Sequence, residues 1–257
     1  MKKNLLQTRE LRIESGLNIP EVRLLPIFSD IEDMISRTCE YFFKKGTPMP
    51  NSPFKGFLLE GPPGTGKTEV IKQVARKLDR RLGNVFWLFV DGASIAAPRW
   101  GDAEKALQRV FQTIETLKKE HRNPKVLIHF DDIECLMLTR GVELAKEWHY
   151  SINSILFHEI DQLDPSNVII CATSNRPDLV DEALRDRLFS IEMPSIPIEQ
   201  LKMLVQEILE ISGVISPQKE EVINLIYDKI KEINEPTLRD IRQITVIECI
   251  KNRVWEV

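Results

Sequence analysis

The sequence predicts an α/β fold in which a parallel five-stranded sheet carries helices on both faces, followed by a small all-α domain. Three observations support this prediction. Apolar periodicity alternates between strand-like runs and helical stripes, a glycine-rich motif joins the first strand-like run to a helix, and the strand-like runs stop after Met193. This order of elements is typical of a parallel sheet whose crossovers are helices.

The strands and helices are assigned from local patterns. Ser29-Asp30-Ile31-Glu32 resembles a capping box, which predicts a helix from there to about Lys45. Helical stripes run from Ala106 to Leu117 and from Trp148 to Ile160. Short apolar runs typical of buried parallel strands lie at Gly56–Leu59, Val85–Val90, Val126–Phe130, Val168–Thr173 and Phe189–Met193.

The remaining chain is predicted to be helical. Pro194-Ser195-Ile196-Pro197 separates the last strand from helices at about Ile198–Ile211, Pro217–Ile233 and Thr237–Val254. We therefore predict an N-terminal extension over residues 1–28, an α/β domain over 29–194 and a helical lid domain over 195–257.

Composition argues against several classes of protein. A formal net charge of −4 provides no overall attraction to nucleic acid, so nucleic acid is not the expected partner.

The uncharged stretches, Pro165–Asn175 among the longest, are too short to cross a bilayer, and the start of the chain lacks the apolar segment of a signal peptide. The four cysteines lie far apart without a C-x-x-C pair, which favours free thiols over zinc ligands. We expect a cytoplasmic protein without a membrane segment.

The strongest motif is GPPGTGKT at residues 61–68, between the first predicted strand and a helix, which is the pattern and the context of a P-loop. Its glycines let backbone N–H groups approach phosphates, Lys67 is expected to reach the β- and γ-phosphates of ATP, and Thr68 is expected to bind Mg²⁺. The predicted nucleotide contacts are Gly61, Pro62, Pro63, Gly64, Thr65, Gly66, Lys67, Thr68 and Glu69.

Acidic residues follow the third predicted strand in the segment VLIHFDDIE, residues 126–134. Asp131 is the expected Mg²⁺ ligand beside Thr68, and Asp132 takes the position of the carboxylate that orients or deprotonates the attacking water. Glu134 lies a further step into the following turn and is not expected to replace Asp132. His129, within the strand, is expected to be a packed core residue rather than a catalytic base.

From about Leu17 onward these motifs resemble the AAA+ ATPases. The segment ATSNRPDLVDEALRDRLFSIEMP at residues 172–194 is similar to the family's sensor-1 and arginine-finger region. The resemblance implies that Asn175 is the polar sensor, with Thr173 or Ser174 as alternatives if the register differs by a residue. It also implies that Arg187 is the finger that enters a neighbouring subunit's site, with Arg185 as a second candidate.

In the predicted lid, TLRDIR at residues 237–242 resembles the sensor-2 segment, which implies that Arg239 contacts the γ-phosphate. Each of the three candidate arginines, Arg185, Arg187 and Arg239, could instead form a surface or interdomain ion pair, and that alternative stays open.

Two further segments resemble protein-remodelling members of the family. RWGDAEKALQRVF at residues 99–111 is similar to the stretch whose aromatic residue lines the central pore of a hexamer, which implies that role for Trp100. One residue is missing between the aromatic and Gly101, so a core or intersubunit tryptophan remains the alternative. Residues 153–175 resemble the pachytene-checkpoint-type ATPases, which implies a homohexamer acting on a HORMA-domain client.

Asp132 departs from the pattern because most active relatives have Glu at this position. A side chain one methylene shorter withdraws the carboxylate by roughly 1.3–1.5 Å, and misplacements near 1 Å can lower a rate about 10²-fold. Three function classes therefore stay open: an ATP-driven protein remodeller, which leads; a DNA-associated regulator such as a helicase loader or transposition factor; and a scaffold that binds ATP but hydrolyses it slowly.

Overall fold

A computed structural model describes residues 11–47, 53–96, 102–137, 147–211 and 219–252. Within these residues, six strands form one mixed sheet: β1 (Leu11–Ser15), β2 (Gly56–Glu60), β3 (Val85–Asp91), β4 (Lys125–Asp131), β5 (Val168–Ser174) and β6 (Leu188–Glu192). The helices are α1 (Pro26–Lys45), α2 (Lys67–Leu82), α3 (Gly92–Ile95), α4 (Asp102–Glu120), α5 (Glu147–Gln162), α6 (Glu182–Arg185), α7 (Ile198–Ile211), α8 (Lys219–Lys231) and α9 (Leu238–Lys251). The predicted α/β class is confirmed.

The strands lie in the order β1-β3-β4-β5-β2-β6, and all neighbours except β1 and β3 are parallel. The five predicted strands are present, each within about a residue of its expected bounds. Parallel strands end at the same edge of a sheet, so the loops after β2, β4 and β5 meet there. This edge carries the candidate functional site.

Helices cover both faces of the sheet. On one face, α4 and α5 bury the predicted stripes, including Leu107, Ile114 and Leu156, against strand residues such as Ile128. The opposite face packs against α2, where the Lys72 ammonium lies 5.5 Å from the ring centre of Trp87. Alternation of side chains along each strand supplies both faces with apolar residues.

The prediction of five strands missed a sixth, because β1 pairs antiparallel with β3 at the edge of the sheet. Leu11 and Ile13 face the core, but a five-residue strand with two buried positions is too short for a clear periodic signal. Buried Asp79 of α2 holds the end of this strand. Its carboxylate accepts hydrogen bonds from Ser15 Oγ at 2.7 Å and from the Leu17 N–H at 2.9 Å.

The predicted capping box at Ser29 was also wrong. Helix α1 begins three residues earlier, at Pro26, and no side chain caps it. Proline fits the first position of a helix because its φ is already helical and it has no N–H to leave unpaired. Burial of Leu25 and Phe28 then fixes where the chain enters the helix.

The chain divides into two compact units. The first comprises Met1–Gly61 and Lys67–Glu192, and the second comprises Pro62–Gly66 and Met193–Val257. In the second unit, α7, α8 and α9 pack on one another through buried residues such as Leu201, Ile226 and Ile241.

Helix α9 of the second unit has a capping box at its start. The Thr237 hydroxyl accepts from the Asp240 N–H, and the Asp240 carboxylate accepts from the Thr237 N–H, which satisfies two of the free N–H groups at this helix end. Among the described residues, no helix is long and apolar enough to cross a membrane.

We expect Asp79→Ala to lower the free energy of unfolding by about 2–4 kcal/mol, because the N–H groups of Leu17 and Val85 would lose their acceptor. Asp30→Ala, at an exposed position of α1, is the control and should change stability by less than about 0.5 kcal/mol. Urea unfolding of both variants measures the difference. Equal stabilities would mean that the carboxylate of Asp79 does not hold β1.

Candidate active site

The candidate active site lies at the carboxyl edge of the sheet, where β4, β5 and β2 are neighbours. The P-loop follows β2, Asp131 ends β4 and Ser174 ends β5. The Gly61 N–H donates to the Ser174 carbonyl at 3.2 Å, which joins the start of the P-loop to the end of the central strand. The three predicted segments that follow β2, β4 and β5 therefore converge.

Lys67 is the first residue of α2, and its side chain is buried. Its ammonium donates to the Gly61 carbonyl at 2.7 Å and to Asn175 Oδ1 at 2.8 Å. A buried ammonium at the N-terminus of a helix supplies positive charge where phosphates bind. This position fits the predicted contact with the phosphates of ATP.

Thr68 and Asp131, the two residues predicted to hold Mg²⁺, are in direct contact. The Thr68 hydroxyl donates to Asp131 Oδ1 at 3.0 Å, and the Thr173 hydroxyl donates to the same oxygen at 2.6 Å. Hydroxyl and carboxylate oxygens are the hard ligands that Mg²⁺ prefers. Among the described residues, no cluster of three or more His, Cys, Asp or Glu side chains could hold a metal ion.

The surroundings of Asp131 keep it ionised. Burial raises the pKa of its carboxyl, but His129 and the hydrogen bonds from Thr173 and Thr68 outweigh burial and hold the pKa well below its usual range. His129 is completely buried, which lowers the pKa of its imidazole, and its Nε2 lies 3.4 Å from Asp131 Oδ1. His129 is thus a core residue, as predicted, but it also lies beside the candidate metal ligand.

Asp132 has a left-handed backbone conformation, with φ 51° and ψ 54°, at the start of a 3₁₀ turn over Ile133–Cys135. Its N–H donates to Thr173 Oγ1 at 3.3 Å, and Oδ1 accepts from Asn175 Nδ2 at 2.6 Å. Asp and Asn tolerate this conformation better than most residues. The backbone at this position therefore provides a local reason for Asp rather than Glu.

Nearby charges and burial favour the protonated form of Asp132 more than usual. Burial is the largest cause of the raised pKa of its carboxyl, followed by the carboxylates of Asp131 and Glu134, while Lys67 opposes the shift. A raised pKa makes a carboxylate a better proton acceptor, as long as it stays ionised at the working pH.

The geometry distinguishes the three sensor candidates. Asn175 places its amide group between Lys67 and Asp132, whereas the Thr173 hydroxyl is engaged with Asp131. Ser174 Oγ accepts from the Arg176 N–H. Within the part of the chain that the structure describes, Asn175 is the candidate that bonds both the lysine and the candidate base.

Sequence reasoning missed one contact of Glu134. This buried side chain accepts the Asn175 N–H at Oε1, at 3.0 Å. It lies in the 3₁₀ turn after β4, as expected. Nothing in the sequence links it to a residue 41 positions later, because that contact depends on the pairing of β4 with β5.

The two finger candidates are both engaged in ion pairs. Arg187 forms a two-pronged pair with Asp161, with Nε–Oδ1 2.6 Å and Nη2–Oδ2 2.8 Å, and its guanidinium lies 4.8 Å from the ring centre of Phe157. Arg185 Nη2 lies 2.6 Å from Oε1 of Glu60, the last residue of β2. The ion-pair alternative therefore describes both side chains in this structure.

The other predicted residues are located as follows. Glu69 accepts a hydrogen bond from Gln73 one turn along α2, at 2.7 Å. In the second unit, the Thr65 hydroxyl donates to the Pro62 carbonyl, while Pro63 is exposed. A Cβ atom on Gly64 would lie 2.8 Å from the Cβ atom of Arg239, at the start of α9 in the same unit. Trp100 and Gly101 lie outside the described residues.

Curated relatives match about half of the chain. A ring-forming AAA ATPase of Corynebacterium efficiens is 34% identical over 136 residues, which cover 51% of this chain and 26% of that protein. A proteasome-associated ATPase of Thermobifida fusca is 34% identical over 141 residues, which cover 51% of this chain and 24% of that protein. The matched region spans about a quarter of the length of these relatives.

Solved structures share the fold. The AAA domain of FIGL-1 in complex with ADP has a TM-score of 0.69 at 20% identity, covering 96% of this chain and 77% of that chain. A chain of the HORMA:CdnC:Trip13 complex of Escherichia coli MS115-1 has a TM-score of 0.59 at 15% identity, covering 93% of this chain and 94% of that chain. At these identities the likeness is one of fold.

The family model of ATPases associated with various cellular activities (AAA) matches residues 57–195. This range is more than half of the chain, and it contains the P-loop and the acidic residues after β4. The chain therefore belongs to the AAA family of ATPases.

Proposed function

We propose that this AAA domain hydrolyses ATP within a hexameric ring of identical subunits and uses the energy to remodel a protein client. The observation that carries the catalytic part is the amide of Asn175, which bonds the P-loop lysine and the candidate base. This amide links the cation that would neutralise the phosphates to the carboxylate that would activate water.

Each side chain has a role in the proposed reaction. Lys67 neutralises the phosphates, while Thr68 and Asp131 would hold Mg²⁺, which would offset negative charge on the phosphate oxygens. Asp132 accepts a proton from the attacking water, and Asn175 orients that water beside the γ-phosphate. Gly61 to Glu69 and Arg239 complete the proposed nucleotide contacts.

The register of the sheet supports Arg187 as a finger for a neighbouring site. Leu188 pairs with Gly56, so Arg187 lies at the amino edge of the sheet, whereas the P-loop follows the carboxyl end of β2. Five residues of strand separate these edges by roughly 16 Å. Arg187 is therefore poorly placed for its own P-loop, while Arg185 pairs with Glu60 at the carboxyl edge.

Two findings support the proposed ring and client. The relative from Corynebacterium efficiens is described as forming ring-shaped complexes, and a structural neighbour comes from a complex that includes a HORMA protein. We therefore propose a HORMA-domain protein as the client, engaged by Trp100 in the central pore. The proposed compartment is the cytoplasm.

The short side chain of Asp132 favours a second candidate function, an ATP-gated scaffold with slow turnover. Its carboxylate is one methylene shorter than that of Glu, and Asn175 holds it by a 2.6 Å hydrogen bond. The rate of phosphate release by the purified protein distinguishes this scaffold from the remodeller.

Asp132→Asn should bind ATP but release little phosphate, because it removes the proton acceptor. Asp132→Glu should keep or raise turnover, because the longer side chain restores the reach of the base. Glu fits the left-handed backbone less well than Asp, so this variant should also lose about 1 kcal/mol of stability. Phosphate release and thermal unfolding measure the two effects.

Lys67→Ala is the inactive reference for these measurements, because it removes the ammonium that neutralises the phosphates. If Asp132→Glu lost as much turnover as Asp132→Asn, the site would be adapted to the shorter acid, and the argument from reach would be wrong.

Mixing Arg187→Ala with Lys67→Ala subunits should restore some turnover if Arg187 acts in trans. A Lys67→Ala subunit can lend its intact arginine to the intact P-loop of an Arg187→Ala subunit. Fingers supplied in trans are worth about 10³–10⁵ in rate in related P-loop enzymes. Turnover of the co-assembled mixture is compared with that of each variant alone.

Asp161→Ala is the matched control, because it removes the same ion pair and leaves the guanidinium in place. It should retain turnover. Inactivity of Asp161→Ala equal to that of Arg187→Ala would mean that the ion pair itself is what the activity requires. Absence of rescue in co-assembled mixtures would contradict a trans finger.

Trp100→Ala should keep basal ATPase activity within a few-fold and lose stimulation by a HORMA-domain client. An aromatic side chain offers a large, rigid surface that can grip an extended chain without reading its sequence. ATPase assays with and without client, together with sizing of the assembly, measure both effects. A variant that fails to fold or assemble would identify Trp100 as a core or interface residue and contradict the pore role.

A further inference from the structure

Glu134 is a buried acid that none of the proposed catalytic steps uses. Its side chain is 7% exposed, in the 3₁₀ turn two residues after Asp132. One carboxylate oxygen accepts the Asn175 N–H at 3.0 Å, and the other, Oε2, makes no hydrogen bond within the described part of the chain. A buried carboxylate with one unpaired oxygen costs free energy, so it is a poor choice for stability alone.

The bond from Glu134 reaches Asn175 at the point where the chain leaves β5. The last residue of that strand, Ser174, accepts the Gly61 N–H at its carbonyl and the Arg176 N–H at its hydroxyl. Glu134 supplies the acceptor for the N–H of Asn175, which lies between Ser174 and Arg176. Together these bonds fix the backbone from which the Asn175 side chain projects.

The direction of this side chain matters because both ends of its amide are used. Oδ1 accepts from Lys67 at 2.8 Å, and Nδ2 donates to Asp132 at 2.6 Å. A small rotation of the Asn175 backbone would lengthen both hydrogen bonds. The carboxylate that holds this backbone therefore determines how the lysine and the candidate base are placed relative to each other.

We propose that Glu134 is a positioning residue for ATP hydrolysis, which acts by holding the backbone of Asn175 so that its amide joins Lys67 and Asp132. In this role it acts as a hydrogen-bond acceptor for the Asn175 N–H. This inference rests on the proposed role of Asn175 in hydrolysis.

Two substitutions at Glu134 differ in whether they keep the acceptor for the Asn175 N–H. Glu134→Gln keeps a carbonyl oxygen for the Asn175 N–H, and its amide nitrogen occupies the place of Oε2. Glu134→Ala removes the acceptor altogether. We expect Glu134→Ala to lower kcat about 10- to 100-fold, with the KM for ATP within about threefold of the parent value. Glu134→Gln should recover most of that loss.

Steady-state phosphate release measures kcat and KM, and thermal unfolding shows whether each variant is folded. If Glu134→Gln lost as much kcat as Glu134→Ala, the negative charge rather than the acceptor would matter, and the proposal would be overturned. An unchanged kcat in a folded Glu134→Ala variant would overturn it as well.

Where Glu134→Ala does not fold, Glu134→Asp carries the test. It keeps the charge but withdraws the acceptor by about one methylene, so kcat should fall while KM changes little. Full activity of Glu134→Asp would then overturn the proposal.

Asn175→Ala separates this inference from the proposed function. If Glu134 acts through Asn175, Glu134→Ala should cause little further loss of kcat in the Asn175→Ala background. Full activity of Asn175→Ala would refute the proposed role of Asn175. An inactive Asn175→Ala beside a fully active Glu134→Ala would refute only the role of Glu134.

Discussion

The amide of Asn175 is the interaction on which the arrangement of the candidate site depends. It is the polar link between the P-loop lysine on α2 and the acid that follows β4. Its position results from the parallel pairing of β5 with both β2 and β4, which brings three strand ends to one edge. The arrangement of the site therefore depends on the register of the sheet, and apolar packing of the strands sets that register.

Three acids lie close together at this edge, and their surroundings differ. Hydroxyl groups and His129 surround Asp131 and lower the pKa of its carboxyl, whereas burial and neighbouring carboxylates raise the pKa of Asp132. Glu134 instead accepts a backbone N–H. These opposite pKa shifts suit the different roles proposed for two adjacent aspartates, Asp131 as a metal ligand and Asp132 as a proton acceptor.

The opposite edge of the sheet presents a different kind of polar cluster. Arg187 pairs with Asp161, and the Lys55 ammonium donates to the carbonyls of Asp161 and Leu163 at the end of α5. Cations at the C-terminus of a helix stabilise it by interacting with its free carbonyls. To act on a neighbouring subunit, the Arg187 guanidinium would have to leave Asp161 and contact a phosphate. Assembly of a ring and this ion pair would therefore compete for the same guanidinium.

The α/β class, the five parallel strands and the P-loop could be predicted from the sequence, because apolar runs and glycine spacing are local patterns. Three contacts could be found only in the folded chain: the polar residue after β5 that faces Lys67, the bond from Asp79 that holds β1, and the bond from Glu134 that holds Asn175. These contacts join residues that lie 41 to 108 positions apart. Such contacts leave no local periodic signal, because strand pairing and side-chain direction, rather than spacing along the chain, bring the partners together.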